Sequence, residues 1–138
     1  MDIYEELVMV YLAKDPLVFL SPQYKVSAGW NCPDFVALDY RHKIVSVVEV
    51  SAAFKVAKLA EKVADRKNQW FDKITAQLMS GPHPVIDSSW RPPQVKVFIR
   101  KDAEGQFRRV VGSPDDVKVT ILEELDFPWG WDWGVDSA

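Results

Sequence analysis

A single cysteine, Cys32, in 138 residues leaves no partner for an internal disulfide and all but removes a Cys-based zinc site. So little cysteine fits reducing conditions, and the chain reads as cytoplasmic. No apolar run approaches the roughly 20 residues that a membrane-crossing helix needs. Short apolar runs leave no membrane partner expected, and the opening residues, Met1 to Glu6, are acidic where a secretory leader is basic. No glycine-rich phosphate loop is present, which argues against ATP or dinucleotide chemistry. No serine sits in a Gly-x-Ser-x-Gly frame, which argues against a serine hydrolase. His42 and His83 lack companions at ligand spacing and read as ordinary surface residues. A net charge of −3 excludes a strongly basic coat but leaves a local basic surface open.

What remains is ordinary globular usage, 48% apolar and 27% charged, enough for one domain over 1–126 followed by a Trp-rich tail over 127–138. Residues 2–14 read as a helix capped by Asp2, with Ile3, Leu7, Val10 and Tyr11 as its apolar stripe and Pro16 beyond its end. Leu17–Leu20 and Gln23–Val26 read as extended, separated by Ser21-Pro22. Asp34–Asp39 and Ile44–Val50 read as strands joined by a polar reversal, the second apolar at nearly every position, as a central strand covered on both faces would be. Residues 54–79, free of proline and glycine, predict one helix of about seven turns whose stripe is Val56, Leu59, Val63, Trp70, Ile74 and Gln77/Leu78. Val95–Arg100 reads as a strand and Phe107–Val111 as its hairpin partner around Asp102–Gly105. Val117–Ile121 alternates like a strand, with a short helical turn after it at Leu122–Leu125. Helices enclosing a mixed sheet, a three-layer α/β/α arrangement, would bury every apolar face in this order.

Two acids interrupt the apolar strands. Asp34 opens one directly after Pro33, and Glu49 lies near the end of the most buried one. A buried carboxylate needs a partner or a cation. Pairing around Tyr40–His42 brings the start of one strand beside the end of the other, so the two acids converge. Two carboxylates and a backbone carbonyl make a hard oxygen site suited to Mg²⁺ or Mn²⁺. The plainer alternative makes Asp34 a turn residue and pairs Glu49 with a lysine of the following helix.

Pro33-Asp34, then Glu49-Val50-Ser51 on an apolar strand, then a long helix with a basic stripe, resembles the PD-(D/E)XK, or restriction-endonuclease-like, nuclease superfamily. The likeness covers residues 2–100. It implies a restriction-endonuclease-like core in which Asp34, Glu49 and the Val50 carbonyl hold the metal. Glu6, with Glu5 as second choice, matches an acid on the leading helix of some branches. Gln69 matches a glutamine on the long helix of others. The family's lysine, two residues after the second acid, is Ser51 here; Lys55 is the first substitute for it and Lys58 the second.

Along the long helix Lys55, Lys58, Lys62, Arg66, Gln69 and Lys73 step by three or four and share one face. Between residues 54 and 75 six basic residues face three acids, a local +3 that would hold a phosphate backbone, or would simply be a solvated face with weak ion pairs. Arg91, Lys96, Arg100, Lys101, Arg108 and Arg109 form a second basic group, which extends that surface or protects an edge strand. Trp30 reads as core or as a base-stacking residue. Trp129, Trp131 and Trp133 would share one side of an extended tail that packs on the body, or docks a protein partner or second copy. The expectation is a Mg²⁺-dependent nuclease hydrolysing phosphodiester bonds, with DNA as substrate. The rival is a catalytically inactive nuclease-fold module that binds DNA or a protein.

Overall fold

The computed structural model describes residues 2–22 and 33–125. Gln23–Val26, Trp30, Cys32 and the Trp-rich tail lie outside the described residues.

The leading helix α1 spans Ile3–Leu12. Its start is written in the sequence as a capping box: the Glu5 N–H donates to the Asp2 carboxylate at 2.8 Å, and the Asp2 N–H donates to the Glu5 carboxylate at 3.0 Å. Val8 and Leu12 are its buried residues, whereas Ile3 and Val10, expected on the buried stripe, are exposed. Residues 7–12 are apolar throughout, so local sequence does not distinguish the inward face; packing on the sheet does.

Strands β1 (Val18–Pro22), β2 (Phe35–Asp39) and β3 (Ile44–Ser51) form an antiparallel meander. β1 runs through Ser21-Pro22 rather than breaking there, and Pro22 at the end of an edge strand removes no donor from a central ladder. The β2–β3 reversal is held by Asp39, whose carboxylate accepts from the Arg41 and His42 N–H groups, both at 3.0 Å. β4 (Gln94–Ile99) and β5 (Val117–Ile121) add in parallel, completing a mixed five-stranded sheet in the order β1-β2-β3-β4-β5. The fold is mixed α/β, with four α-helices around this sheet among the described residues.

Both faces are covered. Val8 and Leu12 of α1 pack on Phe35, Ala37, Val48 and Phe98. Val36, Val45, Val47, Val97 and Ile99, alternating with them, pack on the opposite face against Val56, Ala60, Val63, Trp70, Ile74 and Phe107. β3 is thus buried on both sides, as its unbroken apolar run predicts.

Residues 54–79 depart from a single regular helix. α2 spans Ala57–Ala64, a π-helical turn occupies Lys67–Phe71, and α3 spans Asp72–Met79. A π-turn holds one residue more than an α-turn, which rotates the faces of α3 by about 100° relative to an uninterrupted helix. The rotation lets Trp70 and Phe71, consecutive in sequence, both turn inward. It also breaks the basic stripe expected from Lys55 to Lys73.

The second departure lies at 104–111. These residues form helix α4 rather than a hairpin strand, and α4 carries the parallel crossover from β4 to β5. Ala103 and Phe107, fully buried, and half-buried Val111 recur at four-residue spacing along one side. Burying Phe107 is worth roughly 2–3 kcal/mol, enough to hold a short helix that would be marginal alone. β5 and the 3₁₀ turn Leu122–Glu124 fall where the sequence places them.

Candidate active site

Antiparallel register brings the two acids together. Phe35 pairs with Val48, so one step further Asp34 stands opposite Glu49. Proline at 33 and the strand start at 35 set Asp34 at the rim of the sheet, half-buried, where its carboxylate accepts the Val50 N–H at 2.8 Å. Glu49 alternates with Val45 and Val47 and faces the α2 side, leaving it 8% exposed. Burial first, then the adjacent Asp34 carboxylate, push the Glu49 carboxyl up to about 9, so it keeps its proton at neutral pH.

A third carboxylate joins them. Glu5 of α1 is hydrogen-bonded to Asp34, and partial burial together with that neighbour raises its carboxyl above the ordinary range. The leading-helix acid at this cluster is therefore Glu5. Glu6, the first choice from sequence, is exposed and is not among the groups acting on Glu5 or Glu49. The Asp2-x-x-Glu5 capping box was the available signal: it locks Glu5 at the rim and turns its neighbour outward by one helical step.

The cation that acts on Glu49 is Lys62, half-buried in the last turn of α2, whose charge opposes the upward shift. Lys55 precedes α2 and is exposed, as is Lys58 in its first turn. Ser51 ends β3 with its hydroxyl accepting from the Ala53 N–H at 3.3 Å, so it caps the turn out of the strand. The start of α2 is fixed from elsewhere: the Val56 N–H donates to the Gln106 side chain of α4 at 2.8 Å, a contact that sequence reading missed.

The remaining basic candidates do not converge here. Arg66 is committed to Asp116 by two hydrogen bonds of 2.6 and 2.7 Å and donates a third to the Val63 carbonyl at 3.0 Å. Its guanidinium pins α2 to the start of β5 and lowers the Asp116 carboxyl. Gln69 lies in the π-turn with its amide donating to Asp65 at 3.4 Å. Seven residues past Lys62, it is about 10 Å further along the helical axis. Lys73 is exposed on α3, beyond the rotated turn. Of the second basic group, Arg100 pairs with Asp102 and Arg108 with Glu104.

These contacts make a direct expectation. Arg66→Ala should lower stability by about 1–2 kcal/mol, since a partly exposed bidentate pair is screened by water. Thermal melts check it. An unchanged melting temperature would mean that the Arg66–Asp116 pair adds nothing to the fold.

Among the described residues no set of three His, Cys, Asp or Glu side chains is arranged to hold a metal ion. The donors that could do so are two side chains, Asp34 and Glu49, and the Val50 carbonyl that the likeness adds to them, on the residue whose N–H meets Asp34. All three are hard oxygens, and two carboxylates held so close that one stays protonated are what a divalent cation would relieve. The donor chemistry fits Mg²⁺ or Mn²⁺. A cleft of about 730 Å³ opens elsewhere, beside the π-turn between Phe71, Pro93 and the Arg66–Asp116 pair, and holds none of the groups acting on Glu49.

No described helix is long and apolar enough to cross a membrane. Comparison with protein-family models, curated proteins and solved structures finds no match for this chain.

Proposed function

We propose that the chain is a Mg²⁺-dependent nuclease of the PD-(D/E)XK type, acting on phosphodiester bonds of DNA in the cytoplasm. One observation carries the reading: Asp34 and Glu49 meet across the β2–β3 pair at the rim of a buried sheet, where burial and then the Asp34 carboxylate raise the Glu49 carboxyl. The succession α1, three antiparallel strands, α2–α3 and a parallel β4 supports it, because the likeness read from sequence takes in a leading helix and a strand after the long helical segment.

Asp34, Glu49 and the Val50 carbonyl would hold the ion. Bound there, it would polarise a phosphate oxygen and lower the pKa of a water near neutrality. Glu5 orients Asp34 through their hydrogen bond. Lys62, reaching the site from α2, supplies the positive charge that Ser51 cannot, and stabilises the phosphate as charge builds on it. Lys55 and Lys58, exposed at the start of α2, hold the neighbouring backbone.

Cleavage of labelled DNA with Mg²⁺ or Mn²⁺, against EDTA, tests this reading. Asp34→Asn should abolish cleavage. Lys62→Ala should lower the rate on the order of a hundredfold, as loss of one preorganised charge does, whereas Lys55→Ala should act mainly on affinity. Equal losses in rate from both lysine variants would remove the special role of Lys62.

Ser51 favours a second reading, a catalytically inactive scaffold that binds DNA or a protein. Its hydroxyl is tied to the Ala53 N–H, and it brings no charge to the carboxylates. Wild type and Asp34→Asn equally inert, with DNA binding retained, would decide for that reading.

A further inference from the structure

Phe54 is 64% exposed although it lies three residues past the end of β3. The Arg100 guanidinium covers its ring at 3.9 Å from the centroid and is itself held by Asp102 at 3.0 Å. Because Ser51 pairs with Ile99, Phe54 and Arg100 leave neighbouring parallel strands at the same end of the sheet as Glu49. Arg100 stands three residues, about 10 Å, beyond the level of the Glu49–Val97 pair. Exposed Lys55 and Lys101 are their chain neighbours.

A guanidinium over a ring shields apolar surface, and that alone would suit any position on the molecule. Here the pair stands beyond the strand end that carries Glu49, flanked by two lysines. It offers flat π-surfaces, and the exposed Phe54 ring carries no donor or acceptor with which to read a base edge. Such surfaces take the face of a base, which is accessible only where the strand is unstacked and unpaired; in a duplex, base faces are already covered by their neighbours. The flanking lysines suit the phosphates on either side.

We infer that Phe54 and Arg100 form a stacking platform for an unpaired base, so that nucleic acid reaches the carboxylates as a single strand. The inference rests on the nuclease reading of Asp34 and Glu49 and assigns the form of its substrate.

The test is fluorescence anisotropy with the full chain in EDTA, using a labelled oligothymidylate of about 12 nucleotides and the same strand annealed to its complement. Phe54→Ala should bind the single strand roughly tenfold more weakly, leave duplex binding unchanged and keep the wild-type melting temperature. Phe54→Leu, which keeps apolar bulk without a π-face, should match the alanine variant, and Phe54→Trp should restore affinity. Unchanged single-strand binding by Phe54→Ala, or an equal loss on both forms, overturns the platform. Phe54-dependent single-strand binding without any metal-dependent cleavage would remove the hydrolytic reading and leave the platform standing. Cleavage with no Phe54 dependence would do the reverse.

Discussion

Glu49→Gln should raise the melting temperature of the metal-free protein at pH 8 by on the order of 10 °C while reducing cleavage a thousandfold or more. The two effects have one origin. In the folded chain Glu49 holds its proton up to about pH 9, against an ordinary 4.5. Between those values the folded state carries a proton that the unfolded state has released. Stability conferred on the fold below pH 4.5 is therefore lost as pH rises towards 9, at about 1.4 kcal/mol per pH unit. Glutamine is neutral at every pH and escapes the loss. The gap between variant and wild type should be small near pH 5 and widen steadily to pH 8, as read by thermal melts in EDTA. Mg²⁺ should raise the wild-type melting temperature and leave the variant's unmoved. A gap that does not change with pH would mean that Glu49 is ionised in the fold, and that the proximity of Asp34 has no energetic consequence.

Trp70→Ala should cost about 3–5 kcal/mol, the range for truncating a large aromatic side chain in a core. Trp70 is fully buried, sits in the π-turn, and touches the cluster formed by the β3–β4–β5 face with α2, α3 and α4. Its indole N–H finds no partner among the described residues. That orphan donor is itself a cost of roughly 1–3 kcal/mol, so Trp70→Phe, which removes it and keeps a ring, should lie within about 1.5 kcal/mol of wild type. Urea unfolding curves with unchanged slope would measure both. If phenylalanine proves as damaging as alanine, the N–H is satisfied in solution, and the volume of the indole is not what matters.

The convergence of Asp34 and Glu49 was legible because a short polar reversal between two apolar strands leaves little freedom in register. The helical turn after β5 was legible for a similar reason: alternation ends abruptly at Ile121. Other features were hidden by one-residue ambiguities of phase. Glu5 and Glu6 differ by a single helical step, and only the capping box separates them. In α1 every residue from Leu7 to Leu12 is apolar, so the stripe that meets the sheet cannot be chosen locally. The π-turn has no sequence mark, yet it decides that Lys58 and Lys62 do not share a face with Gln69 and Lys73. Helix α4 reads locally as strand through Phe107–Val111 because Val110 and Val111 favour extended chain. What overrides them is the pocket for Phe107, built by segments distant in sequence. Arg66 looks like a phosphate ligand until Asp116, fifty residues later, takes its guanidinium.

The bond from the Val56 N–H to Gln106 has a consequence for assembly during synthesis. Glu5, Asp34, Glu49 and Lys62 all precede Gln106 in the sequence and are made before it. The start of the helix that carries Lys62 is nonetheless fixed by a side chain from the last crossover, and β3 is sheltered on its second edge only once β4 has been made. A nascent chain that stops short of Gln106 would carry every acid of the centre without the frame that aims its cation. The aim of Lys62 is therefore set only when α4 docks.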